Sequence, residues 1–181
     1  VAANEAVRVA AGPAGHHENP PSCTFAAAVV DGPLVVTGWV GDSRAYWLPD
    51  EGDAHQLSVD DSWAQEMIAQ GVPRAQAETS PQAHAITRWL GPDAPDPTAR
   101  TAATLPDGPG WVLVCSDGLW NYCSPAGDLA ALVRGTETTT GRDPAALASA
   151  LVRWANAQGG RDNITVALAR VEALEPHPPT R

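Results

Sequence analysis

The sequence predicts an α+β domain. Short apolar strands joined by tight turns fill its first third, amphipathic helices dominate its last third, and the regular strand–helix alternation of a parallel sheet is absent. "VAANEAVRVAA" reads as a helix closed by Gly12, and "PAGHHENPPS" as a polar loop. Residues 23–30 and 34–40 are apolar and β-rich around the turn "DGP", and residues 44–48 and 54–57 flank "PDEGD". Together they predict a four-stranded meander. "DSWAQEMIAQG" is a helix: Asp61 or Ser62 caps it, Ala64, Met67 and Ile68 share a face, and Gly71 ends it. Residues 72–97, rich in proline, read as loop. Residues 99–104 and 111–115 are two more strands around "PDGPG". A helix is expected near 125–134. A stronger one covers 143–157, with Asp143 as cap, Pro144 in the first turn, and Leu147, Leu151 and Trp154 along one side. Glycines 159 and 160 stop it, and "NITVALARV" is a final strand with Ile164, Val166 and Leu168 alternating. One domain over residues 1–171 and a flexible, proline-containing tail over 172–181 complete the reading.

A chain of 181 residues can bury one ordinary core. Its formal net charge of −10 argues against nucleic acid and anionic membrane, whose phosphates it would repel. No apolar run is long enough to span a bilayer, and no secretory signal is visible. Three cysteines, Cys23, Cys115 and Cys123, form neither a disulfide framework nor a zinc spacing, which places the chain in a reducing, cytoplasmic setting. Residue 1 is Val, so the chain reads as starting inside a longer protein.

Three acids share one kind of position. Asp42 in "VGDSRAYWL" lies between two apolar strands, Asp117 in "VCSDGLW" leaves one, and Asp162 in "GGRDNITV" precedes one. A strand end holds a carboxylate rigidly at the rim, where water and cations reach it. Hard divalent ions take oxygen ligands, and carboxylates that repel one another favour their capture. Each acid alone reads first as a turn residue, because "DS", "DG" and "DN" are ordinary turn dipeptides.

Taken together and in order, "VGDSRAYWL", "ITRWLG", "LVCSDGLW" and "GGRDNITV" resemble the metal-dependent serine/threonine protein phosphatases of type 2C, the PPM family. The resemblance runs from about Cys23 to Val171. "LSVDDSW" is similar to the segment after the family's central hairpin, with "DDS" where "DHS" is usual. The resemblance implies an antiparallel β-sandwich flanked by helices in αββα layers, incomplete at the N-terminal side. It implies Mn2+ or Mg2+, two ions in a complete domain and one weak site here. Asp117 and Asp162 match acids of the core metals, and Asp42 an acid of a third, labile one. Asn121, Gly118 and Asn163 are expected at that third metal or just behind the ligands. In such enzymes a metal-activated water attacks phosphorus without a phospho-enzyme, and the substrate is a phosphorylated protein made by a serine/threonine kinase.

The family's upstream Asn-Glu-Asp group, its Asp-Gly-x-Gly-Gly turn and its phosphate-gripping arginine have no counterpart in this sequence. The Asp-Gly of "VVDGPL" is a hairpin turn. Without the bridging acid the chain is expected to be impaired or inactive alone. It is either part of a complete phosphatase, or a non-catalytic phosphatase-like module that recognises a kinase or phosphoprotein; an ion held only for stability is a third reading. Arg44 and Arg161 are the remaining candidates for phosphate contact or for orienting an acid, with pairing to a nearby acid the first reading of Arg44. His16, His17, His55 and His84 have no spaced partners and read as surface residues. Cys115, Cys123, Trp39, Trp47, Trp111 and Trp154 read as core, and Trp120 as packing the loop after Asp117.

Overall fold

The computed structural model describes residues 2–12 and 20–172. Residues 13–19 of the predicted loop, with His16 and His17, and all but the first residue of the predicted tail lie outside these. The elements are α1 (Ala2–Ala11), β1 (Phe25–Asp31), β2 (Leu34–Val40), β3 (Arg44–Pro49), β4 (His55–Gln56), α2 (Trp63–Ala69), α3 (Arg74–Glu78), β5 (Arg100–Thr104), β6 (Gly110–Cys115), α4 (Asp117–Trp120), α5 (Ala126–Thr140), α6 (Pro144–Gln158) and β7 (Val166–Val171). All strand pairs are antiparallel, in two sheets ordered β1-β2-β5 and β4-β3-β6-β7. The α+β class read from the pattern is the class observed.

The predicted four-stranded meander is two hairpins in different sheets. β1 pairs β2, and β3 pairs β4, but β2 and β3 do not pair. The reason lies at Gly41, whose φ of 102° turns the chain out of the first sheet. Strands β5 and β6 are likewise divided between the sheets, so "PDGPG" is a crossing and not a hairpin. A short helix, α3, occupies part of the predicted proline loop. Ser62, not Asp61, caps α2, its hydroxyl accepting from Gln65 N–H.

Alternation decides the layers. Tyr46 and Leu48 of β3, and Trp111 and Leu113 of β6, face α5 and α6. They meet Leu129 and Val133 from the first helix and Leu147 and Leu151 from the second. Trp47 and Val112 point the other way, between the sheets, and pack with Val35 and Val171. β3 is therefore buried on both faces. Helix α5 runs past the predicted end through "GTETTT", where threonine hydroxyls donate to carbonyls one turn earlier: Thr136 to Leu132 at 2.8 Å and Thr140 to Thr136 at 3.1 Å. Asp143 caps α6 as predicted, accepting from Ala146 N–H at 2.6 Å.

Strands β1 and β7 are the outermost strands of their sheets. Between them lies an apolar cleft of about 270 Å³, lined by Ala26 and Ala28 on one side and Val112, Val114 and Ala169 on the other. Val29 on β1 is 61% exposed.

Candidate metal centre

Asp42 is held by its backbone. Gly41 N–H donates to Asp61 Oδ2 at 3.0 Å, and Gly41 C=O accepts from Asp61 N–H at 2.9 Å. The indole Nε1 of Trp120 donates to the Asp42 carbonyl at 2.9 Å, and the hydroxyls of Ser43 and Thr24 bond at 2.9 Å. A Cβ on Gly41 would lie 2.5 Å from Thr24 Cγ2, so space as well as φ demands glycine. Asp61, wholly buried, is itself paired with Arg100 Nε at 2.7 Å and Arg88 at 3.4 Å.

Asp117 leaves β6 and opens α4. Beside it Ser116 ties the exit of β6 to the entry of β7. Its hydroxyl donates to Asn163 C=O at 3.1 Å and accepts Thr165 N–H at 3.0 Å, and its own N–H donates to Thr165 C=O at 3.1 Å. Gly118 packs directly on the Asn163 carbonyl. Asn163 N–H donates to Asp162 Oδ1 at 2.7 Å, fixing that carboxylate on the adjoining loop.

The acids feel one another. Burial, followed by repulsion from Asp117 and Asp60, pushes the Asp42 carboxyl up to about 6. Burial, followed by repulsion from Asp162, raises Asp117, while Gly118 N–H and His84 partly relieve it. Asp117 thus couples Asp42 on one side to Asp162 on the other. Asp42 and Asp162 line two adjoining cavities. Asp42 lines a cavity of about 250 Å³ with Trp120, Asn121 and Ser124. Asp162 lines a second, of about 270 Å³, with Gly118, Tyr122 and Arg161. His84 and Asn121 border both. Trp120 of α4, buried, lines the first of them. Among the described residues no three His, Cys, Asp or Glu side chains group tightly enough to cage a metal ion. Mutually repelling oxygen donors of this kind fit one hard divalent ion with water in most of its shell; they do not close a two-metal centre.

Arg44 is committed to an acid. Its Nε and Nη2 hold Asp60 at 2.9 and 2.6 Å, its Nη1 donates to Ser124 Oγ at 2.8 Å, and its guanidinium lies 3.7 Å over the Trp120 ring. Pairing with a nearby acid, the first reading of Arg44, is the arrangement observed. Arg161 is exposed beside Asp162 on the second cavity. Asp60, Asp61, Ser116 and His84 are the residues that the sequence reading missed as parts of the site. The adjoining acids of "VDDS" were the available signal for the first two. Buried Cys115, its thiol pushed up to about 12 by burial, remains a core residue.

The raised Asp42 value has a pH consequence. Both states are neutral at Asp42 below its ordinary value of 3.8, and the folded state is penalised as pH rises from there to about 6. In chelator, Asp42→Asn is expected to stabilise the fold at pH 7 by about 1–2 kcal/mol after allowance for solvent screening. The gain should disappear by pH 4, as urea denaturation at the two pH values will show.

No family model matches the sequence, and no curated protein matches it. Solved structures do. The serine/threonine phosphatase PstP/Ppp of Mycobacterium tuberculosis superposes with a TM-score of 0.77 at 27% identity, over 94% of this chain and 68% of that one. The PPM Ser-Thr phosphatase MsPP of Mycobacterium smegmatis, in complex with cacodylate, is 31% identical with a TM-score of 0.67, over 92% of this chain and 68% of that one. The catalytic domain of PstP in complex with two manganese ions shares the fold at 24% identity and a TM-score of 0.67, over 93% of this chain and 67% of that one. The chain thus spans about two thirds of the length of the proteins it resembles.

Proposed function

Since the chain belongs to the PPM family of serine/threonine phosphatases, we propose that it is the part of a metal-dependent protein phosphatase that carries Asp42, Asp117 and Asp162, acting on phosphoserine or phosphothreonine in proteins phosphorylated by a serine/threonine kinase. The observation that carries this reading is the electrostatic chain from Asp42 through Asp117 to Asp162 at one end of a sandwich with the family's fold. Asp117 and Asp162 would hold one Mn2+ or Mg2+ ion weakly, with Asp42 and Asn121 as further oxygen donors nearby. Such an ion, when bound, polarises phosphoryl oxygens and acidifies water. The chain's own part is positional. Asp61 and Trp120 fix the Asp42 backbone, and Ser116, Gly118 and Asn163 keep Asp117 beside Asp162. Free cysteines suit a cytoplasmic signalling role, and no described helix is long and apolar enough to cross a membrane.

A second reading, a non-catalytic module that binds a kinase or phosphoprotein, draws on the absence of a three-acid cage among the described residues. One experiment separates the two. Mn2+ is titrated into the chain and into Asp117→Ala, following both phosphate release from a phosphoserine peptide and the melting temperature. The first reading expects release that depends on Mn2+ and falls at least a hundredfold in the variant. A Mn2+-dependent rise in melting temperature without release favours the second. If Mn2+ changes neither quantity, the metal reading fails.

A further inference from the structure

We infer that the second cavity is a phosphate-monoester subsite whose anion-binding group is Arg161, assisted by His84, Asn121 and the Tyr122 hydroxyl; this rests on the phosphatase reading above. The argument is one of commitment. Arg44, Arg74, Arg88, Arg100, Arg142 and Arg170 each hold a carboxylate. Arg161 forms no ion pair and no side-chain hydrogen bond among the described residues, yet it lines a cavity of about 270 Å³ at the acid end. Its backbone is pinned, its N–H donating to Tyr122 Oη at 3.2 Å, so the side chain springs from a fixed point.

The remaining lining suits an anion. The His84 ring stands 6.0 Å from that of Trp120, centroid to centroid, and borders both cavities with Asn121. Imidazole, carboxamide and phenol each supply a donor, and guanidinium supplies a planar fork matched to phosphoryl oxygens. The opposing groups are Asp162 and the Asp117 coupled to it, which repel a phosphate unless a cation lies between. The subsite is therefore expected to bind phosphate better with Mn2+ present than in chelator. It would give this chain its own grip on phosphate, independent of any arginine upstream.

The test is binding of inorganic phosphate to the whole chain in Mn2+, followed by calorimetry, with peptide turnover assayed in parallel. Arg161→Ala is expected to weaken phosphate about tenfold or more, because a charge-assisted pair is lost. Arg161→Lys should fall between, keeping charge but not the fork. His84→Gln should lose only a few-fold. Arg153→Ala, an exposed arginine on α6 with the same change of charge, should bind as the parent does. Melting temperatures confirm that each variant is folded. The inference is overturned if the parent binds no phosphate, if Arg161→Ala binds equally well, or if Arg153→Ala loses as much. Turnover that persists with Arg161-independent phosphate binding sinks the subsite and spares the phosphatase reading. Arg161-dependent binding with no turnover supports the subsite and counts against catalysis.

Discussion

Gly118→Ala is expected to lower the melting temperature by roughly 10 °C and to abolish the Mn2+-dependent rise expected of the parent chain. Gly118 rests on the carbonyl of Asn163, and the next atoms a Cβ would meet, Asn163 C and Ile164 Cγ1, are both 3.0 Å away. The obstacle is backbone, which cannot rotate aside. Either α4 lifts or the loop carrying Asp162 retreats. Overpacking of this kind costs about 3 kcal/mol, and a domain of this size loses roughly 2–4 °C for each of them. The site suffers beyond the stability loss, because that contact spaces Asp117 from Asp162. Gly127→Ala, at the start of α5 with nothing within 4 Å of the added carbon, is the matched control and should be neutral or slightly stabilising. Equal melting of both variants would show that the Gly118 contact is slack.

Arg44→Ala is expected to destabilise by about 3–5 kcal/mol, the cost of leaving Asp60 charged and unpaired in the interior. The Asp60 side chain is 5% exposed, and apart from Arg44 it meets only the Gln56 amide, at 3.2 Å. The loss also removes the guanidinium from the face of Trp120, whose indole holds the Asp42 carbonyl. Arg44→Met with Asp60→Leu should recover most of the stability, since apolar residues of similar volume can replace a buried pair. Urea unfolding of the two proteins checks this. A double replacement no more stable than the single variant would locate the damage in lost packing.

The strands, the two late helices and the order of the acids were legible because they depend on local pattern. Apolar runs mark β3 and β6, alternation marks β7, and Asp143–Pro144 marks the start of α6. Sheet membership was not legible. A turn at Gly41 reads alike whether the chain folds back or crosses to another sheet. What decides is its capture by Asp61, an acid 20 residues away. The pairing of Arg44 was foreseen in kind but without its partner. His84 escaped notice for a related reason. It has no neighbour in sequence with which to form a motif, and acquires its place only when the loop before "ITRWLG" folds over Trp120.

The open side between β1 and β7 has a colloidal consequence. The residues "FAAAVV" carry no charge and no proline, and they present free backbone donors and acceptors along an outermost strand. At high concentration such a segment templates its own kind, edge to edge, toward fibrillar stacks. A single lysine placed at Val29 would interrupt that growth without touching the acids.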